Sequence, residues 1–317
     1  MAYVRQRVLQ LVVVLLIVTF ITFLMINLLP GGPETAAVGI TDDEQALEDF
    51  RIEHGLDDPI PVQYARWLGD AVTGDLGDSY VNNVPVREQI TNRLPPTLQL
   101  IVYAEILSLL IAVPLGIAMA YRADTLFDKA SGTVAFGLLS VPNFILAVLL
   151  VYFVSLKLDW LPATGYTPFS EDPTKHVKGM ILPALSLAAG QIAVYSRLLR
   201  TDMIATLQED YIGVARAKGM PTARILFRHA LKPSSFTLLT VAAINVGQLI
   251  GGTIIIEQIF AINGIGELLI TAIFRRDYLI VQGSVVLIAV SFVMINFLVD
   301  LLYAALDPRI RHARALA

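Results

Sequence analysis

Six stretches of the chain show no alternation of apolar and polar positions at any period. Residues 8–29, 130–156, 179–196, 233–256 and 279–299 contain no Asp, Glu, Lys or Arg, and residues 97–121 contain only Glu105. A helix at a water-exposed surface shows a polar face every 3.6 residues. These stretches are apolar all round, broken only by scattered Ser, Thr, Asn and Gln. Each is long enough to carry a helix across ~30 Å of hydrocarbon. The pattern predicts six membrane-spanning helices. The first stretch follows Arg5 and Arg7, as a signal peptide would. Its length of about 22 residues exceeds the ~7–15 of a signal core, and Pro30, Gly31, Gly32 and Pro33 follow it without a small-residue cleavage site, so it reads as a span.

Between the spans the rhythm returns. Residues 42–54 carry a short helical pattern stopped by Gly55. A second helix is predicted with Asp58 as cap and Pro59 in its first turn, placing Tyr64, Trp67, Leu68, Ala71 and Val72 on one face. Gly74, Asp75, Leu76 and Gly77 read as a turn. In residues 201–233, Met203, Ile204, Leu207, Tyr211, Val214 and Ala215 recur at steps of three and four, predicting one helical stripe. Gly219, Met220 and Pro221 stop that helix. Thr222 is placed to cap a second one, running from Ala223 to Leu231 and ending at Lys232 and Pro233.

Composition agrees. Of 317 residues, 56% are hydrophobic and 16% charged, against about 25% charged in soluble domains. Mean hydropathy is +0.67. There are no cysteines, which excludes disulfide scaffolds, cysteine-ligated metals and thiol catalysis. Charge sets the orientation. With both termini on one side, that side holds 14 Lys and Arg against 6 Asp and Glu, and the other holds 9 against 19. Basic residues near span ends stay in the cytoplasm. The termini are therefore predicted inside, and the acidic segment 31–96 is predicted to lie outside as a cap or docking surface. The connection between the fourth and fifth spans, from Arg197 to Lys232, carries half of the inner basic residues, five of them within residues 201–233. A loop serving only orientation has no use for an apolar stripe, nor for small residues at Ala215, Ala217 and Gly219.

Catalytic signatures are missing. No Lys follows a Gly, so no phosphate-binding Gly-Lys-Ser/Thr loop exists. No His precedes a Glu and no Ser sits between paired glycines, which removes zinc-protease and nucleophile-elbow patterns. No nucleic-acid surface is evident. Polar groups inside the spans remain. Glu105 either lines a pathway or pairs with a neighbouring helix. Asp300 either contacts substrate or pairs with an Arg at the inner end of the last span. Asn245, Gln248, Gly251 and Thr253 on the fifth span either pack against a partner or line a passage, with Gly247 and Gly251 forming a small-residue step. Pro114, Pro142 (before Asn143) and Pro183 are expected to kink their helices.

The segment Asp210, Tyr211, Ile212, Gly213, Val214, Ala215, Arg216, Ala217, Lys218, Gly219, followed by His229, Ala230 and Leu231, resembles the coupling loop of dipeptide/oligopeptide permeases of ABC importers. Leu29-Pro30-Gly31, Gly55-Leu56-Asp57, Gly74-Asp75-Leu76-Gly77, Ile181-Leu182-Pro183-Ala184, Arg275-Arg276-Asp277-Tyr278, Val281-Gln282-Gly283 and the tail from Val299 to Arg311 are similar to that family as well. Gly213 and Val214 depart from the general importer motif while fitting the subfamily form. The resemblance spans essentially the whole chain. It implies an all-α, type I importer permease: residues 1–30 as tail and first helix, 31–96 extracytoplasmic, 97–303 the permease core with coupling segment 201–233, and 304–317 a cytoplasmic tail. It implies a multi-pass protein of a bacterial or archaeal cytoplasmic membrane. Its partners would be a second permease subunit, two ATPase subunits that bind the ATP and magnesium, and an extracytoplasmic binding protein. The chain itself would hold no cofactor or metal and would not be an enzyme. Glu209, Asp210, Tyr211, Ala215, Arg216, Ala217 and Gly219 would meet the ATPase. Asp75, Arg275, Arg276 and Asp277 would meet the binding protein, and Glu105, Asn245, Gln248, Gly251 and Thr253 the pathway. Peptide is the substrate implied; nickel, glutathione or oligosaccharide are alternatives within the same architecture. A self-sufficient carrier or channel would show an inverted repeat, which the sequence lacks, and an intramembrane enzyme would need the missing catalytic groups.

Overall fold

A computed structural model describes residues 2–28, 32, 34 and 44–306. Pro30, Gly31 and the basic tail (Arg309, Arg311, Arg314) lie outside the described residues, as does the side chain of Asp300. Among the described residues the chain is helical, with one isolated bridge between Asp78 and Pro85. The helices are α1 (Ala2–Asn27), α2 (Glu44–Glu53), α3 (Ile60–Thr73), α4 (Val86–Tyr121), α5 (Leu126–Ser140), α6 (Asn143–Leu150), α7 (Pro173–Leu207), α8 (Asp210–Ala217), α9 (Thr222–Phe260), α10 (Ile265–Arg275) and α11 (Tyr278–Leu306).

Four of them, α4, α7, α9 and the 278–298 part of α11, are long and apolar enough to cross a membrane. The expected third span is not one helix. It breaks at Val141 and Pro142 into α5 and α6, which are bent by 103° and count as one further candidate span together. Pro142 sits at the α6 N-cap with extended backbone (φ −56°, ψ 140°), and its carbonyl accepts from Ile145 N–H at 3.0 Å. Pro142 thus does more than kink the run: the residue before a proline is held out of the helical region, so the first helix ends there. A π turn, Val151–Lys157, extends α6. In α1 the apolar stretch identified is Leu11–Met25, shorter than the other spans.

By internal contacts the chain forms two compact units, one of residues 1–97 with 263–294 and the other of 98–262 with 295–317. In the first, α3 docks on α1 through Tyr64. Its ring meets Phe20 and Phe23 edge-on, with centroids 5.1 and 5.7 Å away, and its hydroxyl lies 2.8 Å from Thr19 Oγ1. Trp67 is buried on the same face while Val72 is 81% exposed, so the predicted stripe is real but ends at Ala71. The α3 cap is Pro59, not Asp58; the Asp58 carboxylate pairs with Arg66 instead. Gly74 and Gly77 take positive φ angles of 91° and 76°, and Asp75 Oδ1 accepts the Gly77 N–H at 2.9 Å, which is the predicted turn. Helix α10 was not legible in the sequence: its buried Ile265, Leu268, Leu269 and Ala272 lie one turn apart in a stretch too short to stand out.

In the second unit α7 is the central helix, with α5, α6 and α9 packed along it. Gly116 lets α4 approach α7 closely: a Cβ there would fall 2.9 Å from the Ser196 carbonyl oxygen. The core joins Ala112 and Ile117 of α4, Tyr195, Leu199 and Met203 of α7, and Leu238 and Ala242 of α9. Arg200 grips Asp128 with two hydrogen bonds of 2.5 Å, tying α5 to α7; the Asp128 side chain is almost fully buried. His176 is buried among Tyr103, Tyr166 and Phe169, with Nδ1 2.7 Å from the Thr167 carbonyl and Nε2 3.2 Å from the Tyr103 hydroxyl.

Candidate functional site

The predicted stripe from Met203 to Ala215 is interrupted. Helix α7 ends at Leu207, Gln208 and Glu209 form a corner, and α8 starts afresh at Asp210 with Glu209 as its N-cap residue. The corner resets the helical phase. Met203 stays in the bundle core, but Tyr211 and Val214 are 46% and 54% exposed, and the buried pair in α8 is Ile212 and Ala215. That pair packs on Ile225, flanked by Leu207 and Met220.

Helix α8 has only eight residues, too few to be stable alone. Its ends explain its persistence. Asp210 stands in the first turn and Arg216 in the last, each matching the helix dipole. At the far end Gly219 adopts φ +71°. The Gly219 N–H reaches the Arg216 carbonyl at 2.9 Å and the Met220 N–H reaches that of Ala215 at 3.2 Å. This is a Schellman cap, with Met220 supplying its apolar contact. Gly219 is thus required by backbone conformation, and Ala215 is small because it meets the chain's own core. Of the small residues in this segment, the ones left outward are Gly213, with nothing within 4 Å of where a Cβ would stand, and Ala217. Together with Tyr211 and Val214 they give α8 an exposed apolar face, ringed by Glu209, Asp210, Arg216 and Lys218. The Tyr211 hydroxyl donates to the His229 carbonyl at 3.3 Å.

Past the cap, Pro221 is the N-cap and Thr222 the first helical residue, so Thr222 is not the cap. Nor does Pro233 end the helix. A π turn, Ile225–Ala230, precedes it, and α9 continues to Phe260. Proline removes a backbone donor and crowds the carbonyl four residues earlier; the widened hydrogen bonding just before it lets the helix continue. The segment from Thr222 onward is therefore continuous with its span.

Within the spans the structure brings Glu105, Asn245 and Gln248 toward one another and leaves Gly251 and Thr253 apart. Tyr195 is the link. Its hydroxyl lies 3.1 and 3.3 Å from the two Glu105 carboxyl oxygens, contacts Gln191 Oε1, and is hydrogen-bonded by the Asn245 amide. Glu105 is thus tied to α7 through Tyr195. Asn245 and Gln248 open on a groove of about 310 Å³ shared with Asn143 and Gln191. Thr253 is buried and bonds the Ile250 carbonyl at 2.9 Å; Gly251 is exposed but outside that groove. Sequence reasoning missed Asn143, Gln191, Tyr195 and the Asp128–Arg200 pair. Gln191 and Tyr195 stand four apart in a charge-free run, which was the available signal; their partners lie on other helices.

In the first unit Asp75, Arg275 and Arg276 are exposed, whereas Asp277 is 2% exposed. Arg276 takes φ +57° to end α10, which turns the Asp277 carboxylate inward to accept from the Ser79 hydroxyl. Asp277 therefore does not present itself for docking. Burial pushes its carboxyl up from the ordinary aspartate value, with the Ser79 hydrogen bond pulling partly back. Burial, with the Asp277 charge second, pushes nearby Tyr80 up to about 12.

A family model described as the binding-protein-dependent transport system inner membrane component matches residues 112–312, and its N-terminal companion matches residues 1–101. The chain belongs to this family. A putative peptide transport system permease protein of Brucella abortus is 40% identical over 98% of this chain and 99% of its own length. The dipeptide transport system permease protein DppB of Alkalihalophilus pseudofirmus is 36% identical over 98% of this chain and its full length. The oligopeptide transport system permease protein AppB of Bacillus subtilis is 36% identical over 98% and 99%. The family is one of transport components of the inner membrane, not of catalysts. Family membership and several apolar helices make this a multi-pass membrane permease.

Proposed function

We propose that the chain is one permease subunit of a peptide importer driven by ATP hydrolysis in separate subunits. It crosses the membrane six times, with both termini cytoplasmic and residues 31–96 outside, as the charge asymmetry requires. A second permease subunit completes the pathway, two ATPase subunits bind the ATP and magnesium, and an extracytoplasmic binding protein delivers the peptide. Relatives of full length named for peptide transport support the substrate.

The observation that carries this reading is α8. A two-turn helix is fixed at both ends, anchored by Ile212 and Ala215, and offers Tyr211, Gly213, Val214 and Ala217 outward. It has the parts of a lever: a rigid head for another protein to grip and, beyond the cap at Gly219, a helix that runs without interruption from Thr222 to Phe260. When the ATPase pair closes, the two elbows approach, and α7 and α9 transmit the motion so that the pathway opens outward. Gly213→Trp tests this. Its site is open, so the fold is undisturbed, and the bulky ring blocks a partner's approach. ATPase subunits should no longer co-purify in mild detergent, and peptide uptake should fall at least tenfold at unchanged membrane content. Normal uptake with Gly213→Trp would overturn the assignment of α8 as the coupling helix.

A further inference from the structure

The groove at Asn143, Gln191, Asn245 and Gln248 has a chemistry of its own. Each of the four is a carboxamide, and no Asp, Glu, Lys or Arg lines the groove. A carboxamide offers two N–H donors and a carbonyl acceptor. Asn245 and Gln191 are held by Tyr195. Asn143 and Gln248 have no side-chain hydrogen-bond partner among the described residues. Gly252 packs tightly at the edge of the groove, where a Cβ would stand 3.3 Å from Leu187 Cδ2.

Unpartnered amides facing lipid are costly, because hydrocarbon gives them no hydrogen bonds. They need an occupant that offers donors and acceptors together. An extended peptide backbone does so at every residue. A transition-metal ion would need imidazole, thiolate or carboxylate ligands, and a polyanion would need Arg or Lys; the groove has none of these. A packed helix from a partner subunit would have its backbone groups already satisfied internally, and the small-residue surface suited to it is the separate exposed Gly251.

We propose that this groove is the wall of the pathway that holds the peptide backbone, with Asn143 and Gln248 hydrogen-bonding its N–H and C=O groups and no charged group reading its side chains. The proposal rests on the peptide-importer reading above. It makes passage indifferent to peptide sequence and sensitive to backbone chemistry.

The test uses the complete complex with its binding protein in proteoliposomes, at peptide concentrations that saturate the binding protein as measured separately. The probes are trialanine and its backbone N-methylated analogue, which lacks one N–H. The wild-type complex should move trialanine about fivefold to tenfold faster, the scale of one lost hydrogen bond in a dry site. In Gln248→Leu and Asn143→Leu, trialanine should slow toward the rate of the analogue and their ratio should approach one. Peptides with acidic, basic or apolar central residues should lose rate alike. Equal wild-type rates for the two probes, or loss confined to one side-chain class, would overturn the proposal. So would loss of the partner permease from the purified Gln248→Leu complex, since the groove would then be a subunit interface. A wild-type complex that moves no peptide of any kind would sink the importer reading itself, and this proposal with it.

Discussion

Single residues here act mainly through backbone conformation and buried polar pairing. Gly219 is the clearest case of the first. Its φ of +71° is open to glycine and costs a side chain about 1 kcal/mol, although no atom would obstruct a Cβ. Gly219→Ala should therefore loosen α8 rather than block its partner, raising proteolysis at residues 208–221 while leaving the bundle intact. Asp128 is the clearest case of the second. Removing one partner of a buried ion pair leaves the other charge uncompensated. Asp128→Asn should destabilise the protein by roughly 3 kcal/mol in thermal unfolding in detergent, and exchanging the two residues should recover part of the loss. Asp277 gives a pH signature. Its folded-state value is raised, so the folded state binds a proton more tightly than the unfolded one. Its contribution is fully present below the ordinary aspartate value and is lost as pH rises through the raised one. Proteolysis of residues 74–85 should accordingly be slower at pH 4 than at pH 7, and Asp277→Asn should flatten that difference. Pairings like these were invisible in the sequence, because Asp128 and Arg200 are 72 positions apart and nothing local marks them as partners.

At the scale of elements, the apolar runs were legible and their continuity was not. Runs 97–121, 179–196 and 233–256 each lie inside a longer helix, α4, α7 and α9. Hydrocarbon-facing sequence marks only the middle of a helix; its polar ends are helical too, and charge-counting stops short of them. Pro233 does not stop its helix as the sequence pattern predicts, and Pro142 breaks its run instead of kinking it. The difference lies in what surrounds each ring. A π turn precedes Pro233, while Pro142 has Val141 in extended backbone before it (φ −94°, ψ 120°). The packing of α4 on α7 makes a sharper forecast. A Cβ at Gly116 would press on the Ser196 backbone, which cannot rotate away. Gly116→Val should cost about 1–3 kcal/mol from overpacking, seen as a lower unfolding temperature, whereas a valine at Gly137, with nothing within 4 Å, should be neutral within ~0.5 kcal/mol.

For the whole molecule, sidedness is the property most open to test. The chain has no native cysteine, so single introduced thiols report without background. Cysteine at Gly213 should react with a membrane-impermeant maleimide only after the cytoplasmic side is opened, and cysteine at Asp75 should react in intact cells. The reverse pattern would overturn the proposed orientation. What the sequence determined by itself was the class of molecule, an apolar, all-helical membrane protein of an importer family, because the need to satisfy every backbone group in lipid leaves long uncharged helices as the visible solution. The segment that forms the elbow was also legible, from its glycine stop and its apolar spacing. Only tertiary structure decided which of its residues face outward. The corner at Gln208 and Glu209 shifts the helical phase, a rotation that depends on how Ile212 and Ala215 seat against Ile225. Tertiary structure likewise decided that Asp277 turns inward and that Asn143, Gln191, Asn245 and Gln248 share one groove, since residues on separate helices meet only through the packing of those helices.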